Sequence, residues 1–138
     1  MVMVIPTETD VTALEGLRAE IRELRGRLTQ ITGVVVATID GLLVAHDAES
    51  GQDAAQPETL AAMSAAQLGL GQQIASLSSS GDFRESVTAS SGGYVATFAA
   101  GSAALLTIIG GPELNIGRLH HEARPVAARV GALIPPGF

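Results

Sequence analysis

Near the start of the chain, apolar residues recur every three or four positions over residues 9–28. Charged residues, mostly arginine and glutamate, fill the positions between them. This spacing places the apolar side chains on one stripe of a helix and the charges on its opposite face. The pattern therefore predicts a first helix that packs against a sheet. Its apolar stripe consists of Val11, Leu14, Leu17, Ile21, Leu24 and Leu28.

Two apolar runs separated by Asp40-Gly41 follow the first helix. The first run, residues 33–40, contains three consecutive valines and an isoleucine, and β-branched residues of this kind favour a strand. An Asp-Gly pair between two apolar runs is a strong signal for a tight turn. The sequence therefore predicts a β-hairpin whose second strand covers residues 42–45. A polar, acidic loop is expected over residues 46–57.

Residues 59–81 form an uncharged segment, rich in alanine and leucine, that follows Pro57 and Glu58. Proline and an acidic residue are both typical of the first turn of a helix. A surface helix normally carries charges on the face that meets water. The second helix, predicted over residues 58–78, therefore needs cover on two faces, from its own sheet and from another protein surface. This segment indicates that association, and not chemistry, is the main activity of the protein.

Three short strand-like segments and a last helix complete the pattern. The strands are predicted over residues 83–90, 94–100 and 103–109, with turns rich in glycine and serine between them. The last helix is predicted over residues 115–134, where Pro125 should introduce a kink or mark a break. The order α-β-β-α-β-β-β-α predicts an α+β fold, with helices packed on one five-stranded antiparallel sheet.

The length of 138 residues is sufficient for one domain with a core of its own. A composition that is 46% hydrophobic and 16% charged excludes a disordered chain, which would need the opposite balance. We expect residues 1–8 to be a flexible N-terminus, residues 9–134 to form the domain, and residues 135–138 to be a C-terminal tail.

The net charge of −6 makes nucleic acid and anionic membrane surfaces poor partners, because both are bound through basic patches. The uncharged segment is long enough to cross a bilayer, but its glutamine, serine and threonine side chains would then lie in hydrocarbon. We therefore expect no membrane insertion. The chain has no cysteine, which excludes thiol chemistry and fits a reducing cytoplasm, where we expect the protein to be located.

Candidate catalytic and metal-binding residues are few. His120 and His121 are adjacent, so on a helix they point in different directions and do not form a metal-binding pair. The Gly69-Leu-Gly71 segment lacks the third glycine of a dinucleotide fingerprint and lies within a helical pattern. No lysine and no G-x-S-x-G motif are present. We therefore expect no catalytic residues, no cofactor and no metal, and a protein that is not an enzyme.

Three segments and the order of the elements together resemble the Roadblock/LC7 family. The segments are the hairpin GVVVATIDGLLVAHD, the small-residue helix LAAMSAAQLGLGQQIA and the late segment ALLTIIGGPELNIGRLHHEAR. In that family an Asp-Gly turn joins two apolar strands, and N-x-G-x-L followed by E-A-R opens the last helix. The resemblance covers roughly residues 10–134. The chain looks most like the bacterial single-domain members that accompany small Ras-like GTPases.

This resemblance implies a homodimer in which the third strands pair edge to edge and the second helices pack side by side. By position, the dimer interface would include Met63, Ala66, Leu70, Phe83, Glu85 and Val87. It also implies a regulator or scaffold of a small Ras-like GTPase that has no catalytic centre of its own. Some bacterial relatives raise the hydrolysis rate of a GTPase by reshaping it. The partner-binding surface across the paired helices would include Ser64, Gln67 and Gln72.

Two other functions remain open. A scaffold with the same fold would serve a signalling protein such as a sensor kinase without binding a GTPase. Alternatively, a profilin-like or PAS-like sheet would act as a sensor or enzyme domain for a small ligand. A small molecule bound in a cavity between the sheet and a helix would favour this last class.

Overall fold

The computed structural model describes residues 8–49 and 56–137, which form three helices and five strands in the order α-β-β-α-β-β-β-α. The predicted order of elements and the predicted fold class are confirmed. The elements are α1 (Glu8–Arg27), β1 (Ile31–Thr38), β2 (Leu43–Ala48), α2 (Pro57–Leu77), β3 (Glu85–Ser90), β4 (Gly93–Ala100), β5 (Ala104–Gly110) and α3 (Ile116–Leu133).

All five strands form one antiparallel sheet in the order β2-β1-β5-β4-β3. Strands β1 and β5 lie inside the sheet and are buried on both faces, which explains their continuous apolar runs of valine, leucine and isoleucine. Strands β2 and β3 are the two edges. Because β3 is an edge, its outer backbone groups have no strand partner among residues 8–49 and 56–137.

The two faces of the sheet have different cover. Helices α1 and α3 pack on one face, over a large core that includes Val34, Phe98 and Ile108. Helix α2 packs alone on the other face, over a small core of Val35, Ala37 and Leu105 with its own Ala61. Successive residues of a strand point to opposite faces, so Val34 and Val35 belong to different cores. The α2 face is therefore the thinner layer of the fold.

Strand β2 is longer than the sequence predicts. Residues 46 and 47, expected to begin the loop, pair with Val35 and Val34 of β1. Asp47 also receives a hydrogen bond from Arg25 of α1, at 2.5 Å between Nε and Oδ2. This side-chain pair satisfies a polar residue that would otherwise be out of place in a strand. The prediction that β2 ends at Ala45 was therefore wrong.

Helix α3 continues through Pro125, so the predicted break is wrong. A proline removes one backbone donor and crowds the preceding turn, which normally disfavours a helix interior. Pro125 is exposed, whereas Ala123, Val126 and Val130 on both sides of it are buried in the core. Because these residues fix both halves of the helix against the sheet, packing outweighs the local cost of the proline.

The domain limits remain a prediction. Residues 1–7 lie outside the described residues, and Glu8 already begins α1. At the other end, α3 finishes at Leu133, Ile134 is buried, and residues 135–137 are exposed. Phe138 lies outside the described residues.

Candidate functional site

Helix α2 exposes more large apolar residues than an ordinary surface helix does. Leu60 and Leu68 pack against the sheet, but Met63 is 65% exposed, Leu70 is 60% exposed and Leu77 is 88% exposed. Ile74 continues the same stripe, since the spacings of seven, four and three residues return to one side of a helix. A soluble helix normally directs such residues into the core. We name Met63, Leu70, Ile74 and Leu77 the apolar stripe of α2.

The side of α2 that faces the sheet combines the partly buried Leu60 and Leu68 with small and polar residues. Ala61 and Ser64 are its buried residues, and Ser64 is only 3% exposed. Its hydroxyl lies 2.9 Å from the hydroxyl of Thr107 on β5. Ser64 therefore belongs to the layer between helix and sheet, and we leave it out of the partner-binding surface predicted from the sequence.

A chain of hydrogen bonds runs under α2 from β5 to the edge strand. The Thr107 and Thr97 hydroxyls lie 3.2 Å apart, and Thr97 donates to Oε1 of Gln67 at 3.1 Å. The Gln67 amide in turn donates to Thr88 on β3 at 3.1 Å. The side chain of Gln67, which was predicted to bind a partner, is thus hydrogen-bonded to two strands of the sheet. The network satisfies polar groups that would be costly to bury alone.

Replacing Thr107 with valine tests the contribution of this network. Valine keeps the volume of threonine but removes the hydroxyl that contacts Ser64 and Thr97, so that the buried Ser64 hydroxyl loses its partner on the sheet and Thr97 keeps only Gln67. We expect the free energy of unfolding in urea to fall by about 1–3 kcal/mol. The matched change Thr88→Val lies at the exposed end, where water replaces the hydroxyl, and it should cost less than about 0.5 kcal/mol. Equal losses in the two variants would contradict a buried network.

The segment between α2 and β3 is fixed by Gln72 and Gly71. Oε1 of Gln72 accepts a hydrogen bond from the backbone N–H of Phe83 at 3.0 Å. A β-carbon at residue 71 would collide with the ring of Phe83, so glycine is required for this close approach. Gln72, predicted to contact a partner, therefore holds the start of the β3 segment. Phe83 precedes β3 and is half-buried, whereas the sequence predicts it as the first residue of that strand.

Glu85 and Val87 lie on the α3 side of β3, away from α2. Oε1 of Glu85 accepts a hydrogen bond from Arg124 at 2.5 Å and lies 3.7 Å from Nδ1 of His120. The hydrogen bond to Glu85 raises the pKa of the Arg124 guanidinium above its usual range. Thr88, the next residue after Val87, points to the other face and contacts Gln67. Any contact of β3 with a partner near α2 would thus use its backbone edge.

Of the dimer-interface residues predicted from the sequence, Met63, Ala66 and Leu70 are exposed on α2. Their contact with a second subunit stays a prediction. Thr97 and Thr107 were not among the site residues predicted from the sequence. A signal existed, because each is a lone hydroxyl residue within an otherwise apolar strand segment, TFAA and LLTII.

In the part of the chain that the structure describes, no three His, Asp or Glu side chains are grouped so as to hold a metal ion. Among the same residues, no helix has the length and apolar character needed to cross a membrane. The most distinctive surface of the described residues is therefore the exposed side of α2 beside the free edge of β3.

The class of protein is defined by its α+β fold, in which α2, with its exposed apolar stripe, covers one face of an antiparallel sheet and α1 and α3 cover the other. The Roadblock/LC7 domain model matches residues 17–110, and the chain belongs to that family. No curated protein sequence matches the chain.

Three solved structures illustrate the likeness. Myxococcus xanthus MglB has a TM-score of 0.80 at 14% identity, over 99% of this chain and 100% of that one. An MglB with a tetrameric arrangement has a TM-score of 0.79 at 18% identity, and the match covers 95% of this chain and 93% of that one. A Roadblock/LC7 domain from Streptomyces avermitilis has a TM-score of 0.73 at 23% identity, and the match covers 81% of this chain and 92% of that one. At these identities the likeness establishes the fold.

Proposed function

We propose that the protein is a cytoplasmic, non-enzymatic homodimer that regulates or scaffolds a small Ras-like GTPase. The observation that carries this proposal is the apolar stripe of α2, which the fold leaves in water. Burying apolar surface is favourable by about 25 cal/mol per Å², and an exposed contiguous patch of this kind marks an interaction site. The stripe therefore favours a second protein surface as its cover.

A second copy of the chain is the proposed cover for the stripe. Helix α2 and the free edge of β3 are joined by the Gln67–Thr88 hydrogen bond and by the Gly71–Phe83 contact. One two-fold contact would cover both, because each subunit would present the same two elements to its partner. The tetrameric arrangement of one MglB supports self-association in proteins of this fold.

A GTPase would then bind on a second exposed stripe of α2, next to the apolar one. This stripe carries small or polar side chains, so the backbone of a partner can approach closely. Glu58 at the start of the helix and Asp82 beyond its end are exposed and negatively charged, which favours a partner with basic residues around its contact surface. The second stripe consists of Thr59, Ala62, Ala66, Gly69, Gln73 and Ser76.

The GTPase itself is proposed from the resemblance to bacterial Roadblock/LC7 proteins that accompany such enzymes. The test is calorimetry with a small Ras-like GTPase from the same organism, loaded with GDP or with a GTP analogue. We expect tighter binding in one nucleotide state, one GTPase per dimer, and no GTP hydrolysis by this chain alone.

The change Gln73→Arg should weaken GTPase binding about tenfold or more, because a long charged side chain would separate the two surfaces. The matched control is Ala19→Arg, an equivalent change on exposed α1, which should bind like the wild type. Undetectable binding of the wild type in both nucleotide states would contradict the GTPase proposal. The dimer would then favour a scaffold for another signalling protein, such as a sensor kinase.

A further inference from the structure

A groove of about 540 Å³ lies on the face of the sheet opposite α2, between α3 and strands β3 and β4. Neither α1 nor α3 packs its backbone over β3 within the described residues. Only the long side chains of His120 and Arg124 reach Glu85 on that strand. The groove is the space that remains where the sheet is wider than its two covering helices. Its lining includes Phe83, Arg84, Phe98, Ala128, Gly131 and Ala132.

The α3 side of the groove stays open because its residues are small. Ala128, Gly131 and Ala132 place at most a methyl group in this space. Phe83 and Phe98 also line the groove. Pockets of this size with mainly apolar walls and a few polar groups are typical of small-molecule sites.

The groove also contains a cation without a partner. Arg124 is paired with Glu85, so its charge is already compensated. Arg84 is exposed, and its guanidinium makes no side-chain hydrogen bond or ion pair with any residue in 8–49 or 56–137. A guanidinium binds a carboxylate through two parallel hydrogen bonds. An apolar wall beside a free guanidinium is therefore complementary to a molecule that is apolar along its body and anionic at one end.

We propose that this groove binds a small amphiphilic carboxylate, of the class of medium-chain fatty acids. The carboxylate pairs with Arg84, and the hydrocarbon body lies against Ala128, Ala132 and Phe98. The proposed GTPase contact lies on the other face of the sheet with α2, whereas Phe83, Arg84 and Glu85 place the groove beside the β3 edge that the proposed dimer would use. The groove adds ligand binding to a domain whose other surfaces serve protein association.

The groove is connected to α2 through one residue. Phe83 lines the groove, its ring packs on Gly71, and its N–H bonds to Gln72. A ligand in the groove would thus touch the residue that fixes the second half of α2.

Decanoate is the probe for this site, measured by calorimetry on the full chain below its micelle concentration, with decylamine as the cationic comparison. We expect decanoate to bind and decylamine to bind at least about tenfold more weakly, because only the carboxylate pairs with Arg84. Arg84→Ala should weaken decanoate binding by a similar factor. Ala128→Leu, which fills the groove from an exposed helix position, should abolish it.

The matched controls are Arg22→Ala and Ala19→Leu, the same changes at exposed positions of α1, and both should bind decanoate like the wild type. Circular dichroism establishes that each variant is folded. Absence of decanoate binding to the wild type would overturn the proposal. Binding that survives both groove variants would also overturn it, because the fatty acid would then lie elsewhere, for example on the apolar stripe of α2.

Discussion

An arginine in place of Leu70 is expected to dissociate the proposed dimer into monomers of 14.0 kDa. Leu70 lies at the middle of the apolar stripe of α2 and is exposed in the single chain. In a two-fold dimer the change would place two unpaired guanidinium groups in one apolar contact. Burying an unpaired charge costs roughly 3–5 kcal/mol, which weakens dimerisation by a factor of several hundred or more. Light scattering after size exclusion, over a range of concentrations, measures the mass directly.

Because Leu70 is exposed in the single chain, the same variant should keep its helical content and fold as a monomer. The control is Ala19→Arg, which adds the same charge to exposed α1, away from the stripe, and should leave the dimer intact. If Leu70→Arg retained the mass and concentration dependence of the wild type, the apolar stripe would not be the interface. A wild-type protein that is monomeric at tens of micromolar would contradict the homodimer itself.

The order of elements could be predicted because each is encoded locally. The three valines of β1 form a continuous apolar run since the strand is buried on both faces, and the Asp40-Gly41 turn separates it from β2. Gly41 adopts a φ of 91°, a conformation that few other residues tolerate. The end of β2 was less predictable. His46 and Asp47 are polar, and only the distant Arg25 makes Asp47 acceptable in a strand.

Which side of α2 faces the sheet could not be predicted from its sequence. Helical periodicity identifies a buried face when large apolar residues gather on one side and charges on the other. Helix α2 has no charged residue after Glu58, and its large apolar residues are divided between the sheet and the exposed stripe. Polar residues of α2 also meet the sheet, because Thr97 and Thr107 supply hydroxyl groups there. This is why Ser64 and Gln67 were assigned to a partner-binding surface although they contact the sheet.

The groove beside α3 could not be predicted from the sequence either. Phe83, Phe98 and Ala128 come from three separate segments, and no local pattern indicates that they line one space. The unpaired guanidinium of Arg84 also depends on context, because Glu85, its neighbour in sequence, is paired with Arg124.

Replacing Gly131 with alanine is expected to destabilise the fold by roughly 3 kcal/mol, as overpacking of a tight site does. Gly131 lies in α3 where the helix crosses the turn between β4 and β5. A β-carbon there would be 2.6 Å from the backbone nitrogen of Gly101 and 2.7 Å from the carbonyl carbon of Ala100. Backbone atoms cannot rotate away as a side chain does, so the helix would have to move from the sheet. Unfolding in guanidinium chloride at a fixed protein concentration measures the loss in the free energy of unfolding.

Helix propensity alone predicts the opposite sign, because alanine is better than glycine in a helix by about 1 kcal/mol. The matched control is therefore Gly26→Ala in α1, where a β-carbon would meet no atom within 4 Å. That variant should be unchanged or more stable by up to about 1 kcal/mol, less if the end of α1 is frayed. A gain of stability in both variants would mean that α3 does not approach the β4–β5 turn as closely as the structure shows. A loss confined to Gly131→Ala establishes that this glycine sets the distance between α3 and the sheet, and with it the width of the groove that Ala128 and Ala132 line.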